Sequence, residues 1–422
     1  MAHDLGFKWS IVMQRLPNGQ TDKGTQGAAI AMRGTNQSGM RAWNERLVLT
    51  LVRTHKALSK AEISRQTGLS AQTVSVIMRA LEQDGLLQRG EPVRGRVGQP
   101  SVPMSLAADG AFFLGLKIGR RSCELALLDF HGVVRGRRVR RHMWPTPASV
   151  LDFALLASSE LIESLAIDLQ ARVAGLGIAT PFRMWDWAAD IGAPEEEITA
   201  WRDCDIRSDL DHALPFPVLL QNDANAACGA ELVFGSAQLP TDFVYFYVGF
   251  FIGGGIVLNG ALFTGRNGNA GALGSMPVHA PDGTRVQLID LASISVLERA
   301  LIDRGESAEP LWSDPLNWAL DADVLDTWLE TAAEAIAQAT VASLSVMDFD
   351  AAVIDGWMPP NVRSQLVIRT KAALARLDIA GLEPPALIEG TLGPDARTLG
   401  AAALPLTDRY MIDRAAQNGP AD

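Results

Sequence analysis

Ser59-Lys-Ala-Glu-Ile-Ser-Arg-Gln-Thr-Gly68-Leu-Ser70-Ala-Gln-Thr-Val-Ser-Val-Ile-Met-Arg79-Ala-Leu-Glu-Gln-Asp-Gly85 carries the punctuation of two helices joined by a tight turn. Ser59 followed three residues later by Glu62 is a capping box. Gly68 ends the first helix at a position where only glycine turns without a Cβ penalty. Ser70 caps the second helix, whose apolar set Val74, Ile77, Met78 and Leu81 falls on one face. The other face presents Gln72, Thr73, Ser75, Arg79 and Gln83, side chains that hydrogen-bond base edges and phosphates when such a helix enters a major groove. An ordinary helical hairpin with a solvated polar face has the same pattern, so the flanks decide.

Upstream, residues 44–54 read as a first helix with Leu47, Val48 and Leu51 on one face. Downstream, residues 86–89 and 102–106 read as two strands around a basic loop that holds Arg94, Arg96 and Gln99. Three helices and a two-stranded wing make a winged helix-turn-helix, expected over residues 41–108. Residues 1–40 read as a flexible lead-in, with a short helix at 9–16. Charge agrees: residues 41–100 contain ten Lys/Arg against five Asp/Glu, on a chain whose net charge is -11. The acidic remainder repels DNA while this segment attracts phosphate.

These features predict a recognition helix with Ser70 at its start, Gln72, Thr73 and Ser75 at base edges and Arg79 at base or phosphate. The wing would place Arg94, Arg96 and Gln99 at the adjacent minor groove. One such module reads few base pairs, so the expected partner is a pseudo-palindromic operator in double-stranded DNA, bound by a homodimer or higher homo-oligomer.

With 422 residues the chain exceeds one core, and 48% hydrophobic with 20% charged residues is the balance of a folded soluble protein. No run approaches the length of a membrane span, and the first forty residues lack a signal-peptide core. Cys123, Cys204 and Cys228 are too scattered for a disulfide framework. The chain is expected to be cytoplasmic, with no membrane association.

From Phe112 the pattern changes to α/β. Residues 112–119, 123–129 and 133–141 read as a three-stranded meander, 148–169 as a helix, and 173–179 and 216–220 as strands. A helix at 225–235, a strand pair at 243–258, a strand end at 353–354 and an Ala-rich helix after Thr398 follow. A meander followed by alternating helices, occurring twice, implies two lobes with a cleft.

Six pieces then fall in a recognisable order: Leu114-Gly-Leu-Lys-Ile-Gly-Arg-Arg121, Gly175-Leu-Gly-Ile-Ala-Thr-Pro181, Gln221-Asn-Asp-Ala-Asn-Ala-Ala227, Tyr247-Val-Gly-Phe-Phe-Ile-Gly-Gly-Gly-Ile256, Gly268-Asn-Ala-Gly-Ala-Leu-Gly-Ser275 and Gly400-Ala-Ala-Ala403. From residue 44 to about 405 the chain resembles the ROK family of sugar kinases and sugar-responsive repressors, including the winged helix that the repressor branch carries. The resemblance implies an α/β fold class: an N-terminal winged helix-turn-helix plus a two-lobed, actin-like (hexokinase-type) domain. That effector and oligomerisation domain is expected over residues 109–410, before a tail at 411–422.

Departures from the family pattern bear on chemistry. Family kinases open with an Asp-x-Gly-Gly-Thr phosphate loop; here the positions are Lys117, Ile118, Gly119, Arg120 and Arg121. Phe250 and Phe251 replace a hydroxyl residue and a glycine in the second phosphate loop. The chain is therefore expected to be no enzyme and to need no cofactor. Arg120 and Arg121 read as hairpin residues, with an anion site as the alternative. Asn222 and Asp223 match the family pair that hydrogen-bonds sugar hydroxyls, and the resemblance implies an effector site of Gly177, Asn222 and Asp223. Asp223 also reads as the cap of the following helix.

Ala272 and Ser275 stand where the family has a sugar-binding Glu and a zinc-binding His. The cysteine cluster is missing, and His279 stands alone, so no metal is expected. Trp185, Trp187 and Trp201 read as packing residues, or as a sugar-stacking surface. Arg135, Arg137, Arg138, Arg140 and Arg141 read equally as a solvated strand edge or as an auxiliary DNA patch.

The combined expectation is a sequence-specific transcriptional regulator, a repressor, modulated by a carbohydrate-like effector in a non-catalytic body. The alternatives are an active sugar kinase with an appended DNA module, and a regulator without a small-molecule ligand that acts through a protein partner.

Overall fold

A computed structural model describes residues 37–92, 102–187, 192–236 and 238–412. Helix α1 spans Gln37–His55, α2 Lys60–Thr67 and α3 Ala71–Gln83. The capping box forms: the Ser59 hydroxyl accepts from the Glu62 amide, and the Glu62 carboxylate accepts from the Ser59 amide at 2.8 Å. Gly68 closes α2 at φ 70°, the left-handed conformation a Cβ would strain. Ser70 accepts from the Thr73 amide to open α3, and Val74, Ile77, Met78 and Leu81 are its buried residues.

The wing strands are β2 (Leu87–Arg89) and β3 (Met104–Leu106), joined by β1 (Ala57–Leu58) in the order β1-β3-β2. The two-residue β1 is too short to show as a sequence pattern. In α1 the buried residues are Val48, Leu49, Thr50 and Val52, so of the expected stripe of Leu47, Val48 and Leu51 only Val48 is fully buried. Those two leucines are half-buried because the helix is covered from two sides, by the winged unit and by the body.

The body repeats one sheet twice. In the first lobe, β4 (Phe112–Ile118), β5 (Ser122–Leu128) and β6 (Val134–Arg141) form an antiparallel meander; β7 (Val173–Thr180) and β8 (Val218–Asn222) add in parallel, in the order β6-β5-β4-β7-β8. In the second, β9 (Phe243–Val248), β10 (Ile252–Leu258) and β11 (Ala261–Phe263) form the meander. Strands β14 (Ala351–Gly356) and β15 (Ala386–Glu389) complete the order β11-β10-β9-β14-β15, after the small hairpin β12 (Pro277–His279) and β13 (Arg285–Gln287).

Helix α4 (Pro147–Glu163) covers one face of the first sheet; it ends earlier than the expected 148–169 helix, and a separate turn at Ile167–Gln170 follows. Helices α6 (Ile294–Asp303), α7 (Ala322–Leu344) and α8 (Pro360–Leu374) bury the second sheet. Two further helices tie the lobes together. Helix α5 (Asp223–Phe234) leaves β8 of the first sheet yet packs on β10 of the second. Helix α9 (Ala396–Tyr410) follows β15 of the second sheet yet packs on β4 and β7 of the first.

α5 and α9 meet in van der Waals contact of backbone. A Cβ on Gly400 would strike the Ala226 carbonyl, and one on Gly177 of β7 would strike the Ala401 carbonyl. Gly177 therefore packs beneath α9 and is not among the residues that line the cavity between the lobes. Among the described residues no helix is long and apolar enough to cross a membrane.

Gly177→Ala is expected to destabilise the fold by about 3 kcal/mol, because rigid backbone must move to admit the methyl group. Urea unfolding measures this; a loss below about 0.5 kcal/mol would show that α9 yields easily.

Candidate ligand cavity and nucleic-acid interface

A cavity of about 420 Å³ opens between the lobes. Its walls come from the segment after β7 (Pro181, Phe182), the β8–α5 junction (Asn222, Asp223), the β9–β10 turn (Phe250, Phe251), the 269–275 segment and the first turn of α9 (Arg397). The cap of α5 is Asn222, not Asp223: its Oδ1 accepts from the amides of Ala224 at 3.1 Å and Asn225 at 3.2 Å. Asp223 is left to face Arg397, whose Nη1 donates to Asp223 Oδ2 at 3.2 Å. The Arg397 guanidinium also lies 5.1 Å from the centre of the Tyr247 ring. The sequence reading missed Arg397. Its signal was a charged side chain in the first turn of a helix whose following residues, 398–406, are all uncharged.

The phosphate-loop positions are filled by a network that crosses between the lobes. Arg120, on the β4–β5 turn, stacks 3.9 Å from the centre of the Phe250 ring and lies 3.5 Å from Glu298 of α6. Arg121 donates to the same Glu298 and lies 5.2 Å from the centre of the Trp312 ring. These arginines are more than hairpin residues, because their partners lie in the second lobe. Lys117 is buried, 3.3 Å from Glu124 and 5.0 Å from the centre of the Trp357 ring. Burial first, and then the nearby Arg397, hold the Lys117 amine below the usual lysine range.

Ala272 and Ser275 both line the cavity with Gly271 and Gly274, so the side-chain polar groups of this wall are the Asn269 amide and the Ser275 hydroxyl. Trp201 is buried and its indole donates to the Pro145 carbonyl at 2.9 Å, which is a packing role. On β6, Arg138 pairs with Glu160 at 2.6 Å, Arg137 with Asp395 at 2.8 Å, and Arg135 with Asp129 at 2.9 Å. These pairs fasten the edge strand to the body. His279 is exposed, and its backbone exchanges hydrogen bonds with the Gln338 amide at 2.8 and 3.1 Å.

On the winged unit, Ser70, Gln72 and Arg79 are exposed and Thr73 and Ser75 half-buried. The Ser70 and Thr73 hydroxyls lie 2.8 Å apart, and Ser75 accepts from Lys60 of α2 at 3.1 Å. The face therefore also includes Lys60 and the exposed Val76, neither singled out by the sequence reading. Arg89 is held by Glu82 in two hydrogen bonds of 2.6 and 3.0 Å. The wing residues Arg94, Arg96 and Gln99 lie outside the described residues.

Glu298 is the shared acceptor of two arginines and is itself buried. Glu298→Gln is expected to destabilise the protein by about 3 kcal/mol, since a pair of guanidinium groups loses its counter-charge. Chemical denaturation measures the change; a difference below about 0.5 kcal/mol would mean that solvent already screens the pair.

Residues 113–407 match the model of the ROK family, and residues 39–96 match that of the MarR family. The chain is 24% identical to the uncharacterized protein y4fQ of Sinorhizobium fredii, over 90% of this chain and 94% of that protein. It is also 24% identical to the xylose repressor of Bacillus subtilis, over 58% of this chain and 62% of the repressor. Among solved structures, a ROK family transcriptional regulator described as a homolog of the Escherichia coli MLC protein superposes with a TM-score of 0.64 at 21% identity, covering 88% of this chain and 97% of that one. That likeness establishes the fold: a winged helix joined to an actin-like α/β body. With the family model spanning both lobes, the chain belongs to the ROK family.

Proposed function

We propose that the protein is a DNA-binding transcriptional repressor whose ROK body senses a carbohydrate-like ligand and transfers no phosphate. The observation that carries the reading is the Arg120–Arg121–Glu298 network with Phe250, which stands where nucleotide phosphates would need small residues and backbone amides. The xylose repressor among the relatives supports the regulatory direction. A second support is Asp223. As a general base it would have to accept the proton of a sugar hydroxyl, but it already serves the Arg397 guanidinium. Its remaining lone pairs suit hydrogen bonds from a bound polyol.

In this reading residues 41–108 bind DNA, residues 109–410 sense and assemble, and two copies read a pseudo-palindromic operator in the cytoplasm. Gln72, Ser75 and Thr73 contact base edges, Arg79 base or phosphate, and Arg94, Arg96 and Gln99 extend the contact from the wing. Ser70 acts through the helix it caps. Asn222 and Asp223 hold the ligand.

Arg79→Ala is expected to weaken binding to genomic DNA fragments captured by the wild-type protein about tenfold, and to lower the slope of log affinity against log salt by about one. Fluorescence anisotropy across a salt series measures both; an unchanged slope would remove Arg79 from the interface.

Calorimetric titration against pentoses, hexoses and their derivatives is expected to give heat with one of them, lost in Asp223→Ala. Mixtures with ATP should yield no phosphorylated sugar. Turnover of ATP that depends on Asp223 would instead establish a sugar kinase with a DNA-binding module.

A further inference from the structure

We propose that helix α9 carries the state of the ligand cavity to the DNA-binding unit, with Arg397 as the positioning residue at its cavity end. The proposal rests on reading that cavity as the sensor site. Each end of α9 is tied to a different part of the protein. In the first turn, Arg397 spans from Asp223 at 3.2 Å to the Tyr247 ring. A ligand that hydrogen-bonds the remaining lone pairs of Asp223 draws charge from the carboxylate, weakens its hold on the guanidinium and so loosens that end of the helix.

At the other end, about 20 Å away at 1.5 Å per residue, Tyr410 packs edge-on against Phe113 and Phe130, with ring centres 5.8 and 5.0 Å apart. The Phe130 carbonyl accepts from Arg53 of α1, whose guanidinium also lies 5.7 Å from the centre of the Phe130 ring and 5.9 Å from that of Phe234. Just beyond the helix, the Ile412 amide donates to the Thr50 hydroxyl of α1 at 3.1 Å, and that hydroxyl lies 3.9 Å from the Met411 sulfur. Val48, Leu49 and Val52 of α1 share one apolar cluster with Val74, Ile77 and Met78 of α3 and with Phe113, Phe130 and Leu406 of the body. The helix bearing the DNA-reading side chains therefore rests on the same core as the end of α9.

The bed of α9 suits a sliding element. Along its length it meets β7 and α5 through Gly177, Ala226 and its own Gly400 and Ala401. At that crossing the contact is flat, while the larger Leu399 and Leu406 of the same helix pack into the apolar cluster that includes α1, so a short shift along the crossing, as in shear motions between packed elements, is carried to that cluster. The far end is different: three aromatic rings, the half-buried Arg53 of α1 and two hydrogen bonds join it to α1, so the shift is passed on there. Arg53 is enclosed enough that burial pulls its guanidinium pKa down to about 10, a cost sustained by its contacts with Phe130.

Hydrogen exchange of the full-length protein, read by mass spectrometry without any ligand, tests this. Asp223→Asn keeps the shape of the side chain and removes its charge; Arg397→Met removes the guanidinium. In both variants the amides of residues 44–55 and 405–411 are expected to exchange tenfold or more faster, while those of Ala351–Gly356 in β14 stay at the wild-type rate. Tyr410→Leu should speed exchange in α1 by itself, and adding Asp223→Asn to it should bring no further increase. Changes confined to residues that line the cavity, or effects that simply add in the double variant, would overturn the proposal. If Arg397→Met does not fold, Asp223→Asn alone decides between these outcomes. No sugar enters this measurement, so a failure of every sugar to bind would count against the sensor reading and leave the coupling result standing.

Discussion

The contact of Gly400 with the carbonyl of Ala226 fixes how the two lobes are joined. Each lobe closes its own sheet, but the helix leaving each sheet covers a strand of the other, so α5 and α9 must cross between them. Their backbones touch because glycine and alanine occupy the crossing. A larger residue at either point would drive the helices apart and with them the walls of the cavity, since the cavity's polar floor is built on the first turns of these same two helices. Site geometry and lobe association are thus set by one constraint, the close packing of backbone on backbone.

Around that crossing, the positions of the family's phosphate loops hold a charge network that runs between the lobes. Arginines on the β4–β5 turn share Glu298, stack on Phe250 and Trp312, and bind the lobes to each other. Lys117 and Glu124 neutralise one another behind them. Buried ion pairs of this kind add little net stability, but they are costly to break and so favour one arrangement of the lobes over others.

Legibility in the sequence followed the strength of local signals. The capping box at Ser59, Gly68 and the cap at Ser70 work through a few neighbouring residues, so the limits of α2 and α3 and the buried face of α3 could be read directly. The doubled meander was legible because its apolar runs are long and broken by Gly and Asp. Other features depended on partners distant in sequence. The pairing of Asp223 with Arg397 spans 174 positions, and that of Arg121 with Glu298 spans 177. Neither has a local pattern. The packing of Gly177 under α9 was hidden for the same reason: a glycine that admits a helix and a glycine that admits a ligand are identical in sequence. The buried face of α1 was misjudged because the body covers part of it, which periodicity within the helix does not reveal.

In the proposed function, ligand in the cleft and DNA on α3 are thermodynamically linked through one folded body. The most direct measurement is the dissociation constant for a captured operator fragment with the cavity empty and with it saturated by the sugar that calorimetry identifies. A change of at least tenfold, or about 1.4 kcal/mol of coupling, is expected, with an equal change in sugar affinity when operator is bound. Equal operator affinity with and without a ligand shown to occupy the cavity would contradict it.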